Sequence, residues 1–178
     1  MENSFSLVVA MDRRRGVGKN GGLPWTLPPD LKHFKEITTD LRIPGQKNAV
    51  IMGRKTWESL PERFRPLPGR TNVVLSHSLV KTPPDVILAK SFDDAFAQLE
   101  RQKFSGQIFV IGGGQIFSES LADRRCVKIY ATHLDDDLNC DVFFPPLNAD
   151  WTESKRCASS VYEGIRYAFV EYLRQPVS

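Results

Sequence analysis

The sequence is poor in cysteine and in long apolar runs, and both shortages exclude classes of protein. Cys126, Cys140 and Cys157 are odd in number and lack the spacing of metal ligands, so they indicate reduced cysteines rather than a disulfide framework. The run Phe5–Met11 is mostly apolar but too short to cross a membrane, and no signal peptide is recognisable. We therefore expect a cytoplasmic protein with no metal site and no membrane contact.

A strong charge of one sign is also missing, as are internal repeats. The 178 residues carry a formal net charge of +3, and 41% of them are hydrophobic, which is ordinary for a globular protein. The length suits one domain that spans residues 1–178. The densest basic run, residues 13–15, is short and typical of a solvated loop, so specific nucleic-acid binding is not expected.

Strand-like apolar runs alternate with helical patterns along the chain. The strands are expected at 5–11, 48–52, 71–76, 86–88, 107–111 and 127–132. The helices are expected at 28–38, from about residue 55, at 91–103, and after the glycines 112–114. Residues 151–173 predict two further strands joined at Glu163-Gly164. This order predicts a mainly parallel α/β sheet with helices on both faces and a C-terminal antiparallel hairpin.

The strand at 107–111 runs directly into Gly112, Gly113 and Gly114, and a helix follows. Glycines let the backbone approach a ligand closely, and the free N–H groups at the start of a helix attract anions. A tight turn with positive φ would explain one glycine. Three glycines in a row favour a phosphate site.

A second junction of strand and helix repeats this arrangement. Gly53, Arg54, Lys55 and Thr56 follow the strand at 48–52 and supply two cations and a hydroxyl. A charged helix start would explain them equally well. Two such junctions in one sheet suit a cofactor that contains a diphosphate.

A third group of polar residues follows the strand at 71–76. Ser76 and His77 stand where dinucleotide-binding folds for NAD carry an acid, and Lys90 follows the next strand. These donors would tolerate a ribose 2′-phosphate. A polar turn is the alternative explanation.

One carboxylate lies on an apolar helical face. Asp30, Phe34 and Ile37 fall on the same side of the helix that begins at Pro28. Asp30 is therefore either catalytic, paired, or simply favoured by the dipole of the first helical turn.

Several stretches together form a recognisable set: Gly21-Gly22-Leu23-Pro24-Trp25, Asp30 with Phe34, residues 52–59, Gly69-Arg70, residues 111–114 and Phe143-Phe144-Pro145. The combination closely resembles the dihydrofolate reductases over essentially the whole chain. The resemblance implies an eight-stranded, mainly parallel sheet. It also implies NADPH-dependent reduction of dihydrofolate to tetrahydrofolate, which supports one-carbon metabolism and thymidylate and purine synthesis, in a monomer that binds antifolates.

The resemblance assigns a role to each matching residue. Asp30 would hold the pterin and promote its protonation, Thr132 would hydrogen-bond Asp30, and a loop with Leu23 and Trp25 would close over the nicotinamide. Arg70 would bind the glutamyl carboxylate, although as a lone residue it would be an exposed arginine at a strand start. The remaining substrate residues would be Val8, Val9, Leu31, Phe34, Ser59, Leu60, Leu67 and Ile111.

The resemblance places the cofactor on three stretches and a few flanking residues. They are Ala10, residues 53–56 (Gly53, Arg54, Lys55, Thr56), Leu75, Ser76, His77, Lys90, and residues 111–117 (Ile111, Gly112, Gly113, Gly114, Gln115, Ile116, Phe117). In the family Gly112 and Gly113 are joined by a cis peptide. Phe117 replaces a common tyrosine, and His77 replaces a common arginine.

Three alternatives stay open at this point. A related reductase of another pterin-like or ribosylamino-pyrimidine substrate would have no use for Arg70. A non-catalytic nucleotide-binding module would have no use for Asp30 with Trp25. Nucleic-acid binding is suggested only by the pI near 8.8.

Overall fold

The computed structural model describes residues 4–78 and 81–176. In chain order the elements are β1 Phe5–Met11, β2 Gly16–Gly18, α1 Pro28–Thr39, β3 Asn48–Gly53, α2 Arg54–Ser59, a short 3-10 turn Glu62–Phe64, β4 Arg70–Leu75, β5 Val86–Ala89, α3 Phe92–Arg101, β6 Ile108–Val110, α4 Gly114–Ala122, β7 Cys126–Leu134, β8 Val142–Phe143, β9 Trp151–Arg156, β10 Ser160–Tyr162 and β11 Ile165–Arg174.

The main sheet runs in the order β10-β11-β7-β1-β6-β3-β4-β5, and β9 also pairs with β11. The neighbouring pairs from β7 through β5 are parallel, whereas β11 is antiparallel to β7. In the described part of the chain the sheet thus has eight positions, because β9 and β10 share the outer edge of β11. The prediction of a mainly parallel sheet closed by antiparallel strands is confirmed.

The C-terminal stretch is the place where the sequence prediction needs correction. Residues 151–173 were expected to form two strands, but they form three, with a break at 157–159 between β9 and β10. The turn at Glu163-Gly164 is confirmed as the link between β10 and β11. Because β9 and β10 are mostly exposed, their polar sequence carries no alternation that would mark the break.

Alternation along β1 separates the two faces of the sheet. Phe5, Leu7 and Val9 point into a core shared with α3 and α4. Val8 points to the opposite face, where Trp57 of α2 and the apolar side of α1 pack. The parallel strands are therefore covered on both faces, as their nearly continuous apolar sequences require.

The start of α3 shows why the sequence located this helix well. The Ser91 hydroxyl accepts a hydrogen bond from the Asp94 backbone N–H at 3.1 Å. The four residues of the predicted apolar face are all buried: Phe92, Ala95, Phe96 and Leu99. Within residues 4–78 and 81–176, no helix has the length and apolar character that crossing a membrane requires.

Candidate functional site

The carboxyl ends of the parallel strands meet at one edge of the sheet. The chain moves outward from β1 through β3 and β4 to β5, and then returns to β6, which lies between β1 and β3. Such a reversal leaves a crevice beyond the strand ends, where ligands of α/β proteins bind. The polar residues singled out in the sequence follow these strand ends.

The glycine turn after β6 contacts the junction after β3. The Gly53 backbone N–H donates to the Gly112 carbonyl at 2.8 Å. A Cβ atom placed on either Gly112 or Gly113 would lie 3.3 Å from the Thr56 hydroxyl oxygen, and Gly112 has a φ of 129°. The peptide between Gly112 and Gly113 is cis. The glycine turn at 112–114 and the junction at 53–56, which both suit anions, therefore form one continuous surface.

Helix α4 begins inside this surface without a side-chain cap. Its first backbone N–H groups have no partner within the helix and are available to an anion. On the neighbouring α2, Arg54 is paired with Glu58 at 3.1 Å, whereas Lys55 is exposed and forms no ion pair with the described acidic residues. Lys55 is thus the more available of the two predicted cations.

The other cofactor candidates on α4 and the strands differ in exposure. Phe117 is buried under Gly112 and meets the Phe144 ring edge-on, with ring centroids 5.3 Å apart. Ile116 packs beside Gly53, and Gln115 is exposed. Phe117 is therefore a core residue whose contact with the turn runs through Gly112.

Ser76, His77 and Lys90 lie at the ends of the paired strands β4 and β5. The Ser76 backbone N–H donates to the Ala89 carbonyl at 2.9 Å, so the two strand ends are side by side. An acid is also present, because Asp94 accepts the Lys90 backbone N–H at 2.9 Å. The first turn of α3 thus brings a carboxylate to the backbone of Lys90.

Asp30 lies in the first turn of α1 and faces the sheet. The Thr132 hydroxyl on β7 donates to its Oδ1 atom at 2.6 Å. Burial raises the pKa of Asp30, and the hydrogen bond from Thr132 lowers it by less. The pair predicted from the resemblance is thus in direct contact, and the carboxyl holds its proton more readily than an exposed one.

Trp25 is buried beside Asp30's helix, in a cluster with Leu27, Leu134 and Tyr167. Its indole Nε1–H has no hydrogen-bond partner among the described residues. Leaving such a donor unpaired costs on the order of 1–3 kcal/mol, so it indicates a place for a ligand or a water molecule. Leu23 is 53% exposed.

The substrate candidates line the face of the sheet that α1 covers. The partly buried apolar residues there are Val8, Phe34, Ile37, Leu60, Leu88, Ile111 and Tyr130. Leu67 is buried in the same cluster, whereas Leu31 is 57% exposed at the rim and Ser59 donates to the Thr56 carbonyl. Val9 points to the opposite face, so only its backbone can reach a ligand here. Ala10 lies next to Thr132 in the β1–β7 pairing.

Arg70 is 8% exposed, which contradicts the simple expectation of an exposed arginine at a strand start. Its Nε donates to the Pro68 carbonyl at 3.0 Å, and one Nη donates to the Thr38 hydroxyl at 2.8 Å. Its guanidinium also lies over the Phe34 ring, 5.6 Å from the centroid. Burial lowers the pKa of Arg70, and no described carboxylate pairs with it.

Two polar residues that support this site were missed in the sequence. Thr38 is fully buried and holds Arg70, while its own hydroxyl donates to the Phe34 carbonyl at 2.8 Å. Asn72 is 1% exposed and bonds both backbone groups of Leu67. A polar residue inside the apolar strand β4 was the available signal for Asn72, because buried amides must be satisfied.

The site is identified by its chemistry rather than by the size of a cavity. A surface cavity of about 580 Å³ lies along β5. Another of about 550 Å³ lies between the later part of α1 and the strands β6 and β7. Neither contains Asp30, Thr56 or the glycine turn.

Comparison with known proteins gives a family match for nearly the whole chain. The family model described as dihydrofolate reductase matches residues 4–174. A dihydrofolate reductase of Schistosoma mansoni is 41% identical over 85% of this chain and 82% of its own length. One of Aedes albopictus is 34% identical over 97% of this chain and 98% of its own length.

Other relatives are longer proteins. A bifunctional dihydrofolate reductase-thymidylate synthase of Glycine max is 44% identical over 98% of this chain, yet the match covers 34% of that protein. One of Zea mays is 41% identical, again over 34% of its length. The chain therefore spans about a third of the length of these bifunctional relatives.

The raised pKa of Asp30 predicts a stability effect with a definite sign. The folded protein holds the Asp30 proton to a higher pH than the unfolded chain does, so the ionised group destabilises the folded state at neutral pH. We expect Asp30→Asn to raise the Tm at about pH 7, and the gain to shrink as the pH falls towards roughly 4, the usual pKa of aspartate. Thermal unfolding across this range, with Asp40→Asn as an exposed control, measures it. A variant that is less stable at neutral pH would contradict the burial argument.

Proposed function

The chain belongs to the dihydrofolate reductase family, and from this premise we propose that it reduces dihydrofolate to tetrahydrofolate with NADPH. The observation that carries the proposal is the hydrogen bond of 2.6 Å from the Thr132 hydroxyl to Asp30, one helical turn before Phe34 of the apolar cluster. It places a carboxyl with a raised pKa on the face of the sheet that α1 covers. We further propose a cytoplasmic monomer whose reductase domain comprises residues 1–178.

The strand ends suit a dinucleotide. The free N–H groups at the start of α4, Lys55 and the Thr56 hydroxyl provide donors and charge for a diphosphate. Ser76, His77 and Lys90 provide donors for a 2′-phosphate at the ends of β4 and β5. A Cβ atom on Gly112 would fill space beside Thr56, so a glycine keeps this surface open.

In the reaction, reduced nicotinamide supplies the hydride. Asp30 accepts hydrogen bonds from the amino-amidine edge of the pterin, for which a planar carboxylate offers two matched oxygens. Because burial raises its pKa, Asp30 holds a proton more readily than an exposed carboxyl does, and it promotes protonation of the reacting nitrogen. Thr132 fixes the rotation of the carboxyl through its hydrogen bond. Closure of the loop that carries Leu23 and Trp25 excludes water.

Arg70 favours a substrate that carries a carboxylate. Its guanidinium is buried, and hydrogen bonds to the Pro68 carbonyl and the Thr38 hydroxyl fix its orientation. A buried cation without a counterion is costly, and a substrate carboxylate would offset that cost with two parallel hydrogen bonds. A ribosylamino-pyrimidine substrate has no such group. The glutamyl tail of dihydrofolate, or of an antifolate, therefore explains Arg70 best.

The proposal is tested by following the near-ultraviolet absorbance of NADPH with purified protein. We expect NADPH to be consumed only when dihydrofolate is added, with tetrahydrofolate formed in equal amount. A matched mixture with a ribosylamino-pyrimidine in place of dihydrofolate tests the alternative reductase. Tight NADPH binding without turnover on any of these substrates would indicate a non-catalytic nucleotide-binding module.

Asp30→Asn is expected to lower turnover at about pH 7 by roughly two to four decades, because the general acid is lost. NADPH binding should be unchanged, since Asp30 is not among the residues proposed to hold the cofactor. Turnover should partly return at lower pH, where the solvent supplies a protonated substrate. Steady-state rates between about pH 5 and 8 measure this effect. Turnover close to that of the parent at neutral pH would remove Asp30 from the mechanism.

Arg70→Leu is expected to raise the KM for dihydrofolate far more than the KM for a dihydropterin without the glutamyl tail. Loss of a partly desolvated charged pair corresponds to about 2–4 kcal/mol, or roughly thirty- to several-hundredfold. Arg63→Leu removes an exposed charge from the preceding turn and serves as the control. Equal changes for both substrates would show that Arg70 does not meet the tail.

His77→Arg is expected to tighten NADPH binding by roughly three- to tenfold, because a guanidinium carries a permanent charge and can form two parallel hydrogen bonds with a phosphate. NADH binding should hardly change, since NADH lacks the 2′-phosphate. Titration of both cofactors at constant ionic strength, by quenching of tryptophan fluorescence, measures the ratio. If the ratio of the two affinities does not move, His77 is only a turn residue.

A further inference from the structure

Asp12 is not one of the site residues described above, yet its side chain is buried. It is 2% exposed at the end of β1, two residues beyond Ala10. Among the described residues, no other acidic side chain belongs to the buried core. Burying a charge is costly unless hydrogen bonds replace the lost water, so the contacts of this carboxylate indicate its purpose.

The carboxylate of Asp12 accepts three backbone N–H groups. Its Oδ1 atom accepts from Gly16 at 2.7 Å and from Arg14 at 2.9 Å. Its Oδ2 atom accepts from Leu138 at 3.0 Å. The thiol of Cys140 also contributes a hydrogen bond. Burial acts to raise the pKa of Asp12, but together these bonds keep that pKa below its ordinary value.

These bonds join two segments that are far apart in the sequence. Residues 12–16 begin the loop that leads to Leu23 and Trp25, and Leu138 follows β7. A Cβ atom on Gly16 would overlap the side chain of Cys140, so the two segments lie in close contact. Asp12 thus connects the start of the loop to the chain beyond Thr132.

Contacts continue from this connection to the first turn of α1. The side chain of Leu138 packs against the cluster of Trp25, Leu27 and Leu134. The Leu27 carbonyl, in turn, accepts the backbone N–H of Asp30 at 2.9 Å. A shift of Leu138 would therefore disturb the packing of Trp25 and the turn that carries Asp30.

We propose that Asp12 is a positioning residue for the reaction: its carboxylate fixes residues 14–16 against Leu138, and this arrangement holds Trp25 and the first turn of α1 in place beside the pterin. The inference rests on the proposed function, because it concerns the geometry of the same site. Asp12 does not touch the substrate or the cofactor. Its effect passes through Leu138 and the Trp25 cluster.

Asp12→Asn is a severe test with almost no change in volume. An amide has one oxygen acceptor and one NH2 donor, whereas the carboxylate meets backbone donors on both oxygens. In either orientation the NH2 group faces a backbone N–H, of Leu138 or of the Gly16 and Arg14 pair. Asp12→Asn should therefore break the hydrogen bonds on one side, either the bond from Leu138 or the bonds from Gly16 and Arg14.

Asp123→Asn is the matched control. Asp123 is a part-buried carboxylate that accepts the Arg125 backbone N–H at 2.8 Å and also pairs with the Arg125 guanidinium. It lies at the end of α4, and its bonds are to Arg125 rather than to the loop. Asp123→Asn removes comparable hydrogen bonds far from the loop, so any change in its hydride-transfer rate reflects a loss of overall stability alone.

Two measurements are made on the parent and both variants. The first is the single-turnover rate of hydride transfer to dihydrofolate from NADPH and from its deuterated form, at saturating substrates. The second is amide hydrogen exchange of the protein without ligands. For Asp12→Asn we expect hydride transfer to be slower by about ten- to a hundredfold, with a larger isotope effect on turnover. Exchange should be faster across residues 14–25 but unchanged in β3 and β4.

Asp123→Asn should keep the parent rate, isotope effect and loop exchange even if its Tm falls. The inference is overturned if Asp12→Asn keeps them as well. If Asp12→Asn does not fold, Leu138→Ala interrupts the same path, and parent-like hydride transfer in that variant would equally overturn it. A parent that fails to reduce dihydrofolate would contradict the proposed function instead, while hydrogen exchange would still decide whether Asp12 holds the loop.

Discussion

The hydrogen bond between Thr132 and Asp30 is the contact on which the arrangement of the site depends. It joins the first turn of α1 to β7, and therefore it fixes the helix over the face of the sheet that carries the apolar cluster of Val8, Phe34 and Ile111. The same helix holds Phe34 under Arg70 and supplies Thr38 to the Arg70 guanidinium. The first turn of one helix thus carries the acid and its last turn contacts the cation, so their separation follows from the length of the helix.

This arrangement lowers the stability of the folded protein, and the binding of a substrate explains why both groups are present. A carboxyl with a pKa raised by burial and a guanidinium without a described carboxylate partner both destabilise the folded chain near neutral pH. Proteins keep such groups where function needs them. A substrate with an amino-amidine edge and a carboxylate tail would satisfy both groups at once, and among the described residues neither group has a partner of opposite charge.

Much of the fold could be predicted from the sequence because its signals are local. Apolar runs marked β1, β3 and β4 to within a residue or so, and the serine cap with its apolar face marked α3. The strands β2 and β8 could not be found, because two or three residues carry no periodicity. The break between β9 and β10 could not be predicted for a related reason. The side chains of both strands are mostly exposed, so their sequence does not have to alternate between apolar and polar residues.

The site residues divide in the same way. Gly112 and Asp30 were recognisable because a glycine run and an acid on an apolar face conflict with simple local rules. Thr38 and Asp12 were not, since each acts through a partner that is distant in the sequence, whereas Asn72 left a signal as a polar residue inside an apolar strand. The proximity of Asp94 to Lys90 likewise follows from the direction of α3 after β5.

The most direct test of this account is a crystal structure of the protein with dihydrofolate and oxidised NADP bound. We expect the pterin edge on Asp30, the glutamyl carboxylate on Arg70, and the 2′-phosphate beside Ser76 and His77, with the diphosphate at the glycine turn. A pterin bound in another cavity, or an Arg70 that stays bound only to Thr38 and Pro68 while the glutamyl tail lies elsewhere, would contradict it.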